Sequence, residues 1–275
     1  MSDSLKIAYS GIEGAFAYIA AKHIFPNEEL ISYLDFAEVY SAVEKGDCDY
    51  AVIPIDNSYA GEVAEVMDLL YYGDLFIDGI YSLPVVQNLL GIEGAAIEDI
   101  HTVISHPKAL EQCDEFIKAH GFKLDQASNT ARAAREVSEA KDIHTAAIAS
   151  VETAELYGLK VLAPHINESD DNTTRFLVLS KKEGIVPNTD ESESFIMLLN
   201  TDHVSGALVE ALLVIRDYGF NMKVVHSRPI KGQIWHYYFY LEIEGNYLTP
   251  EGQKMVRDLA KHCINLKVLG PARPL

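Results

Sequence analysis

Short apolar runs alternate with helix-period segments through residues 6–180, and this rhythm restricts the fold more than any other feature of the chain. Lys6–Tyr9 reads as a strand, followed by a glycine loop and a helix over Ala15–His23. The strand Leu30–Tyr33 and the helix Phe36–Glu44 repeat the unit. Tyr50–Ile55 is a continuous apolar strand, followed by a polar loop and a helix over Val63–Tyr71. Further on, the strand His101–Ser105 precedes a helix that opens at Pro107 and runs to Lys118, and the helix Ala131–Glu139 precedes the strand Ala146–Ala149. Proline suits the first turn of a helix because the N–H it lacks would have no partner there. Continuous apolar runs fit strands covered on both faces, and their alternation with helices predicts an α/β domain with mostly parallel sheets.

Two longer stretches break the rhythm. Leu75–Leu90 is rich in strand formers and carries the chain into a second sheet, and Val161–Leu179 carries it back. Residues 1–182 therefore read as two lobes joined by crossings near 75–90 and 161–179, with a cleft between them for a ligand. A polar linker with Gly and Pro follows over 183–192. Residues 193–275 then form a separate unit. Its strands are Ser194–Asn200, Met222–Ser227, Trp235–Ile243 and Ile264–Gly270, and its helices are Gly206–Tyr218 and Pro250–His262. The order βαββαβ predicts an α+β ferredoxin-like fold.

Charge narrows the function. The chain carries 41 acidic against 22 basic residues, a net charge of −19. Nucleic acid and anionic membrane surfaces need a basic face, and none is visible. A small anion needs only a local positive potential, and before residue 190 the arginines are Arg132, Arg135 and Arg175. Cys48, Cys113 and Cys263 are scattered and odd in number, which argues for free thiols in a reducing compartment. The N-terminus has no basic segment leading into an apolar run, and no apolar run is long enough to cross a bilayer, so a cytoplasmic protein is expected. Neither HExxH, a P-loop nor GxSxG occurs, and the histidines show no metal-ligand spacing, so nucleotide-binding and zinc-hydrolase chemistry lose most of their weight.

Four polar segments stand where strands meet helices. Ser10–Ala17 has glycines that allow a tight turn and leave helix N–H groups open to an anion, or it is an ordinary strand-to-helix turn. Pro54–Gly61 follows a buried strand and offers Asp56, Asn57, Ser58 and Tyr59, either to a ligand or to an Asx turn and helix cap. Ala127–Arg132 contains Thr130, a good N-cap. Asn172-Thr173-Thr174-Arg175-Phe176 gathers an amide, two hydroxyls and a guanidinium at a strand entrance, though Thr is also common in strands. His106 begins a helix and is either a structural cap or a catalytic group.

In order, these segments resemble the prephenate dehydratase family over nearly the whole chain. The matching elements are Gly11-x-x-Gly14-x-Phe16, Pro54-Ile55-Asp56-Asn57-Ser58-x-x-Gly61-x-Val63 and His106-Pro107-Lys108-Ala109-Leu110-x-Gln112-Cys113. Thr130-Ala131-x-Ala133-Ala134, Ala146-Ala147-Ile148-Ala149-Ser150, Tyr157-Gly158-Leu159 and Asn172-x-Thr174-Arg175-Phe176 complete the set. The C-terminal unit resembles an ACT regulatory domain. The resemblance implies a two-lobed, periplasmic-binding-protein-like catalytic domain followed by ACT, and conversion of prephenate to phenylpyruvate, water and carbon dioxide. It implies Thr174 as the proton donor. Substrate contacts are then expected from Asn57, Ser58, Gly61, Thr130, Ala131, Arg175 and Phe176, with Arg175 as the charge partner. Phenylalanine is the implied effector, at Gly206, Ala207, Leu208, Ser227, Arg228 and Pro229, in a homodimer or homotetramer that needs no cofactor. The chain departs from the family at Ala15 and Ala17, where hydroxyl residues are usual, at Asp56, where Glu is usual, and at His226, also a usual Glu. A sensor that binds without turnover is the alternative. In a regular strand Thr174 and Arg175 point to opposite faces, so either the strand starts after Arg175 or Arg175 anchors the other lobe and does not touch substrate.

Overall fold

The computed structural model describes residues 4–169, 171–181 and 194–275. The expected linker 183–192 lies outside them. The first lobe is built from β1 (Lys6–Ser10), α1 (Phe16–Ile24), β2 (Glu29–Tyr33), α2 (Phe36–Lys45), β3 (Tyr50–Asn57), β4 (Gly61–Glu62), α3 (Ala64–Tyr72) and β5 (Phe76–Pro84). The second holds β6 (Asn88–Gly91), β7 (Thr102–Ser105), α4 (Pro107–Glu111), α5 (Asp114–His120), β8 (Lys123–Gln126), α6 (Thr130–Ala140), β9 (Thr145–Ala149), α7 (Val151–Tyr157) and β10 (Lys160–Ala163). β11 (Thr173–Ser180) returns to the first lobe.

The long stretches at 75–90 and 161–179 each split into two strands, one per sheet. The sheet orders are β2-β1-β3-β11-β5 and β10-β6-β9-β7-β8. Both sheets are mixed, which corrects the expectation of mostly parallel pairing. β1 pairs β2 and β3 in parallel, while β11 runs antiparallel to both β3 and β5. The cause is the crossing itself: β11 returns from the other lobe and enters the sheet against the direction of β3. The helix expected from Pro107 to Lys118 also breaks, ending at Glu111 and restarting at Asp114.

The C-terminal unit has β12 (Ser194–Asn200), α8 (Ala207–Asp217), β13 (Met222–Pro229), β14 (Tyr237–Glu244), α9 (Pro250–Leu259) and β15 (Asn265–Pro271). Its antiparallel order β13-β14-β12-β15 is that of a ferredoxin-like sheet. One face of this sheet covers α8 and α9. The other joins the core of the first lobe, where Ile196, Leu198, Tyr238, Tyr240 and Leu269 share a buried cluster with Leu70 and Ile77. Tyr71 of α3 stacks on Tyr238 with ring centroids 4.1 Å apart. β15 comes so close to β5 that a Cβ on Gly270 would lie 2.1 Å from the Ile77 carbonyl oxygen, at a φ of +136°. Only glycine fits there. Among the described residues no helix is long and apolar enough to cross a membrane.

Asp68 of α3 is the polar anchor of this junction. It is 7% exposed and accepts from the Tyr238 hydroxyl at 2.8 Å, from Arg228 at 3.3 Å and from Lys231 at 3.1 Å. Burial pushes the Asp68 carboxyl up, but the Tyr238 and Lys231 hydrogen bonds and the Arg228 charge outweigh it, and its pKa ends below the ordinary value. A lowered carboxylate pKa adds stability above the unfolded pKa, about 3.9, and loses it as pH falls through the folded value. Asp68→Asn is expected to cost about 2–3 kcal/mol near neutral pH. The acid limb of its stability curve should be shallower than that of the native chain, as measured by denaturant melts between roughly pH 3 and 7.

Candidate active site

The register of β11 against β3 arranges the site. Thr174 lies opposite Asn57, and Arg175 lies opposite Asp56. Side chains alternate along a strand, so each pair occupies one face of the sheet. Asn57 Oδ1 accepts from the N–H groups of Tyr59 at 3.0 Å and Ala60 at 2.8 Å, an Asx turn. Two backbone donors on one atom identify it as the oxygen, which settles the amide orientation. Nδ2 therefore donates to Thr174 Oγ1 at 2.9 Å and to Asn172 Oδ1 at 2.7 Å. Because Thr174 Oγ1 accepts from Asn57, its own hydrogen is free to point into the cleft.

Thr174, Ala15, Phe16 and Asn129 line two adjoining hollows of about 250 and 400 Å³ between the lobes. Asn57, Asn172 and Thr130 line the smaller one, and Phe176 lines the larger. The second lobe supplies Lys108 from α4 and His106 and Gln112 from the two ends that cap it. Among the described residues, Lys108 is the one lysine or arginine on either hollow. Burial, reinforced by the Lys108 charge, holds the His106 imidazole below its ordinary pKa, so it is neutral near pH 7. His106 Nδ1 accepts from the Lys108 N–H at 3.3 Å, which leaves the ring proton on Nε2. Beside the hollows, the lobes are tied together by Thr153 Oγ1 donating to Gly14 O at 2.9 Å and the Tyr157 hydroxyl donating to Glu13 O at 2.7 Å. A Cβ on Gly14, whose φ is +86°, would press on Leu156 at 3.2 Å.

The sequence-based residues are thus divided. Thr174, Asn57, Thr130 and Phe176 meet in the cleft. Ser58 does not line it: its hydroxyl donates to Asp171 O at 2.7 Å and accepts from the Thr173 N–H at 2.9 Å, tying the loop to β11. Gly61 is exposed in the short hairpin strand β4, and Ala131 is buried in the first turn of α6. Asn129, not Thr130, caps α6, its Oδ1 accepting from the Arg132 N–H at 2.8 Å. β11 begins at Thr173, before Arg175 rather than after it, so Arg175 points away from the cleft and pairs with Asp56 and Glu242. The cation facing the cleft is Lys108, which the sequence carries in the His106-Pro107-Lys108 motif with nothing local to mark it as a cleft residue. Gln87 was missed altogether. It lies between β5 and β6, is 1% exposed, and lines the smaller hollow with a buried Oε1 that has no hydrogen-bond partner. Asn172 Nδ2 is likewise buried without a partner on the same hollow.

A third hollow, of about 360 Å³, lies in the C-terminal unit between the loop before α8 and the start of β14. Leu208 lines it, with His203, His236 and Tyr237. Gly206 has a φ of +89° at the N-cap of α8, and Ala207 opens that helix. Ser227, Arg228 and Pro229 lie on β13 away from the lining, and Arg228 turns to Asp68.

Two α/β lobes around a polar cleft with a lysine on one wall, and a ferredoxin-like unit docked behind one of them, define a two-lobed cleft enzyme with an appended α+β unit. The chain belongs to the prephenate dehydratase family, a family of hydro-lyases, whose model matches residues 7–184. The bifunctional chorismate mutase/prephenate dehydratase of Escherichia coli (strain K12) is 36% identical over 97% of this chain and 70% of that protein. A solved structure described as GqqA, a novel type of quorum quenching acylase, superposes with a TM-score of 0.89 at 29% identity, covering 97% of this chain and 98% of its own. Prephenate dehydratase from Arthrobacter aurescens in complex with L-Phe gives 0.89 at 25% identity, covering 98% of this chain and 90% of its own.

An unpaired buried polar atom costs about 1–3 kcal/mol, which a substrate group can relieve. Gln87→Met should therefore leave the ligand-free melting temperature unchanged or raised, while KM for substrate rises several-fold. A fall in melting temperature with an unchanged KM would contradict this.

Proposed function

We propose that the chain converts prephenate to phenylpyruvate, water and carbon dioxide in the cytoplasm, with Thr174 as the acid. The observation that carries the reading is the Thr174 hydroxyl, held by Asn57 and facing a cleft whose cation, Lys108, comes from the opposite lobe. Prephenate is a dianion with a ring hydroxyl. The C–O bond breaks as that oxygen takes a proton, the C–C bond to the ring carboxylate breaks to give carbon dioxide, and its electron pair completes the aromatic ring. Aromatisation drives the step, so no strong base is needed and a weak acid suffices. Thr174 Oγ1 gives the proton and recovers one from solvent. The Asn57 Nδ2–H stabilises the charge left on that oxygen in a site drier than water. Lys108 and the free amide of Asn172 hold carboxylate oxygens.

The acylase-like neighbour prompts a comparison that this cleft does not favour. An acyl-transfer nucleophile needs an adjacent base. Among the described residues no hydrogen bond joins Thr174 or Thr130 to a histidine or carboxylate, and Asn57 offers Thr174 only a donor. The sensor reading has one observation behind it: Ala15 and Ala17 line the larger hollow without a donor.

Phenylalanine is the proposed effector, taken up at the hollow beside Gly206, Ala207 and Leu208. A second copy would cover it in a homodimer or homotetramer. Val204, Ile234 and Trp235 stand 68%, 80% and 72% exposed around that end, and β13 is the edge strand that pairs β14 alone among the described strands. The complex of the Arthrobacter aurescens enzyme with L-Phe supports the choice of ligand.

Thr174→Ala is expected to lower kcat for prephenate by about 10²–10⁴-fold with the melting temperature unchanged, and Thr174→Ser to retain most of it. Normal turnover by Thr174→Ala would refute the acid assignment. Lys108→Ala should raise KM roughly 10- to 100-fold, because a charge-assisted contact to a carboxylate is lost. Phenylalanine at a hundredfold excess over its Kd should stabilise the fold by about 2.7 kcal/mol and inhibit turnover. A flat melting temperature and unchanged rate would contradict the effector reading.

A further inference from the structure

We propose that Glu242, from the ACT unit, positions the catalytic Asn57–Thr174 pair through Arg175 and Asp56, so that the ACT sheet sets the geometry of a hydrogen bond on the far side of β3 and β11. The claim rests on the reading of Thr174 as the acid.

Four side chains occupy two adjacent rungs of one ladder. On the cleft face, Asn57 donates to Thr174. One residue along, on the reverse face, Arg175 Nε donates to Asp56 Oδ1 at 2.8 Å and its Nη2 donates to Asp56 Oδ2. A bidentate pair fixes both the separation and the relative rotation of the two backbones that carry it. Arg175 Nη1 reaches across the domain junction to Glu242 Oε2 at 2.7 Å. Glu242 is 4% exposed and is itself held by the Ser194 hydroxyl at 3.2 Å. The chain of contacts therefore runs from β12 and β14 through Arg175 and Asp56 to the residues next to them in sequence, Thr174 and Asn57.

The ladder needs such a clamp at this point. Its register shifts between Arg175 and Phe176, where Phe176 lies opposite Pro54 rather than Ile55. Although β5 pairs regularly with Thr173–Val178 on the other edge, the irregularity loosens the placement of β11 against β3, and so of Thr174 against Asn57. The segment that carries Thr174 is the one beyond it.

Folding alone does not account for Glu242. Asp56 and Arg175 already form a neutral bidentate pair, and hydrogen bonding to Asp56, with the Glu242 contact adding to it, keeps Arg175 charged at any working pH. A second carboxylate leaves the cluster with a net negative charge at a site where its three side chains are 26%, 19% and 6% exposed. Buried charges of this kind are weak contributors to stability and are better explained by a role in specifying an arrangement. Here the arrangement is the relative placement of two domains and of the strand end that holds the acid. A shift of the ACT sheet against the first lobe would move or release Arg175, and with it Thr174.

The test compares Glu242→Gln with the native full-length protein and with Asp68→Asn, which weakens the same junction without touching the clamp. Glu242→Gln is expected to lower kcat for prephenate about 10- to 100-fold, the effect of a displacement on the order of 1 Å, with KM and melting temperature close to native. Glu242→Asp should recover part of the loss, and Asp68→Asn should leave kcat near native. The Asn57 side-chain amide resonances, followed by NMR, should shift in Glu242→Gln and not in Asp68→Asn, which reads the positioning whether or not the native protein turns over prephenate. Absence of native turnover would defeat the functional reading, whereas unmoved Asn57 resonances would defeat the positioning. Equal kcat losses in Glu242→Gln and Asp68→Asn would also overturn it, since any loosened junction would then suffice. If Glu242→Gln does not fold, Ser194→Ala, which removes the hydroxyl supporting the same carboxylate, carries the comparison with the same outcomes.

Discussion

The antiparallel pairing of β11 with β3 is the constraint on which the rest of this molecule depends. It returns the chain from the second lobe and closes the first sheet. It sets Thr174 opposite Asn57 on one face and Arg175 opposite Asp56 on the other. The two-residue period of a strand does the sorting, so neighbouring residues with rich chemistry serve different partners. A shift of one residue would send the guanidinium into the cleft and the hydroxyl into the domain junction.

The cleft gains its positive charge from the opposite lobe, not from the strand that carries Thr174. In a chain of net charge −19, one lysine facing an anion acts only when it is near and partly desolvated. Its place on the wall facing Thr174 puts it near such an anion, and the hydrogen bonds from Thr153 to Gly14 and from Tyr157 to Glu13 hold the two lobes together beside it. The unpaired amide atoms of Gln87 and Asn172 belong to the same logic. Natural cores seldom leave such groups unpaired, and a ligand cleft is where the exception has a use.

Much of the fold was legible because it follows from local patterns. Continuous apolar runs such as Tyr50–Ile55 are strands in any α/β context, and the βαββαβ order of the C-terminal unit admits few arrangements. The direction of β11 was not legible, because a crossing strand carries no local mark of which way it enters a sheet. The site was partly readable for a similar reason. Asn57 and Thr174 sit in motifs, and strand alternation alone raised the question about Arg175. Lys108 was passed over because charge is a property of a residue while facing the cleft is a property of two lobes. Gln87 falls inside the stretch Leu75–Leu90, and its burial exists only where the lobes cross. Glu242 lies 67 positions from Arg175, and no local pattern joins them.

The measurement that bears most directly on this account is a product assay on the intact native chain with prephenate, scoring phenylpyruvate and carbon dioxide together. The account predicts that both form in equal amounts, at a rate far above the uncatalysed reaction. Prephenate that binds tightly, as seen by calorimetry, yet yields neither product would contradict it and leave the cleft a sensor.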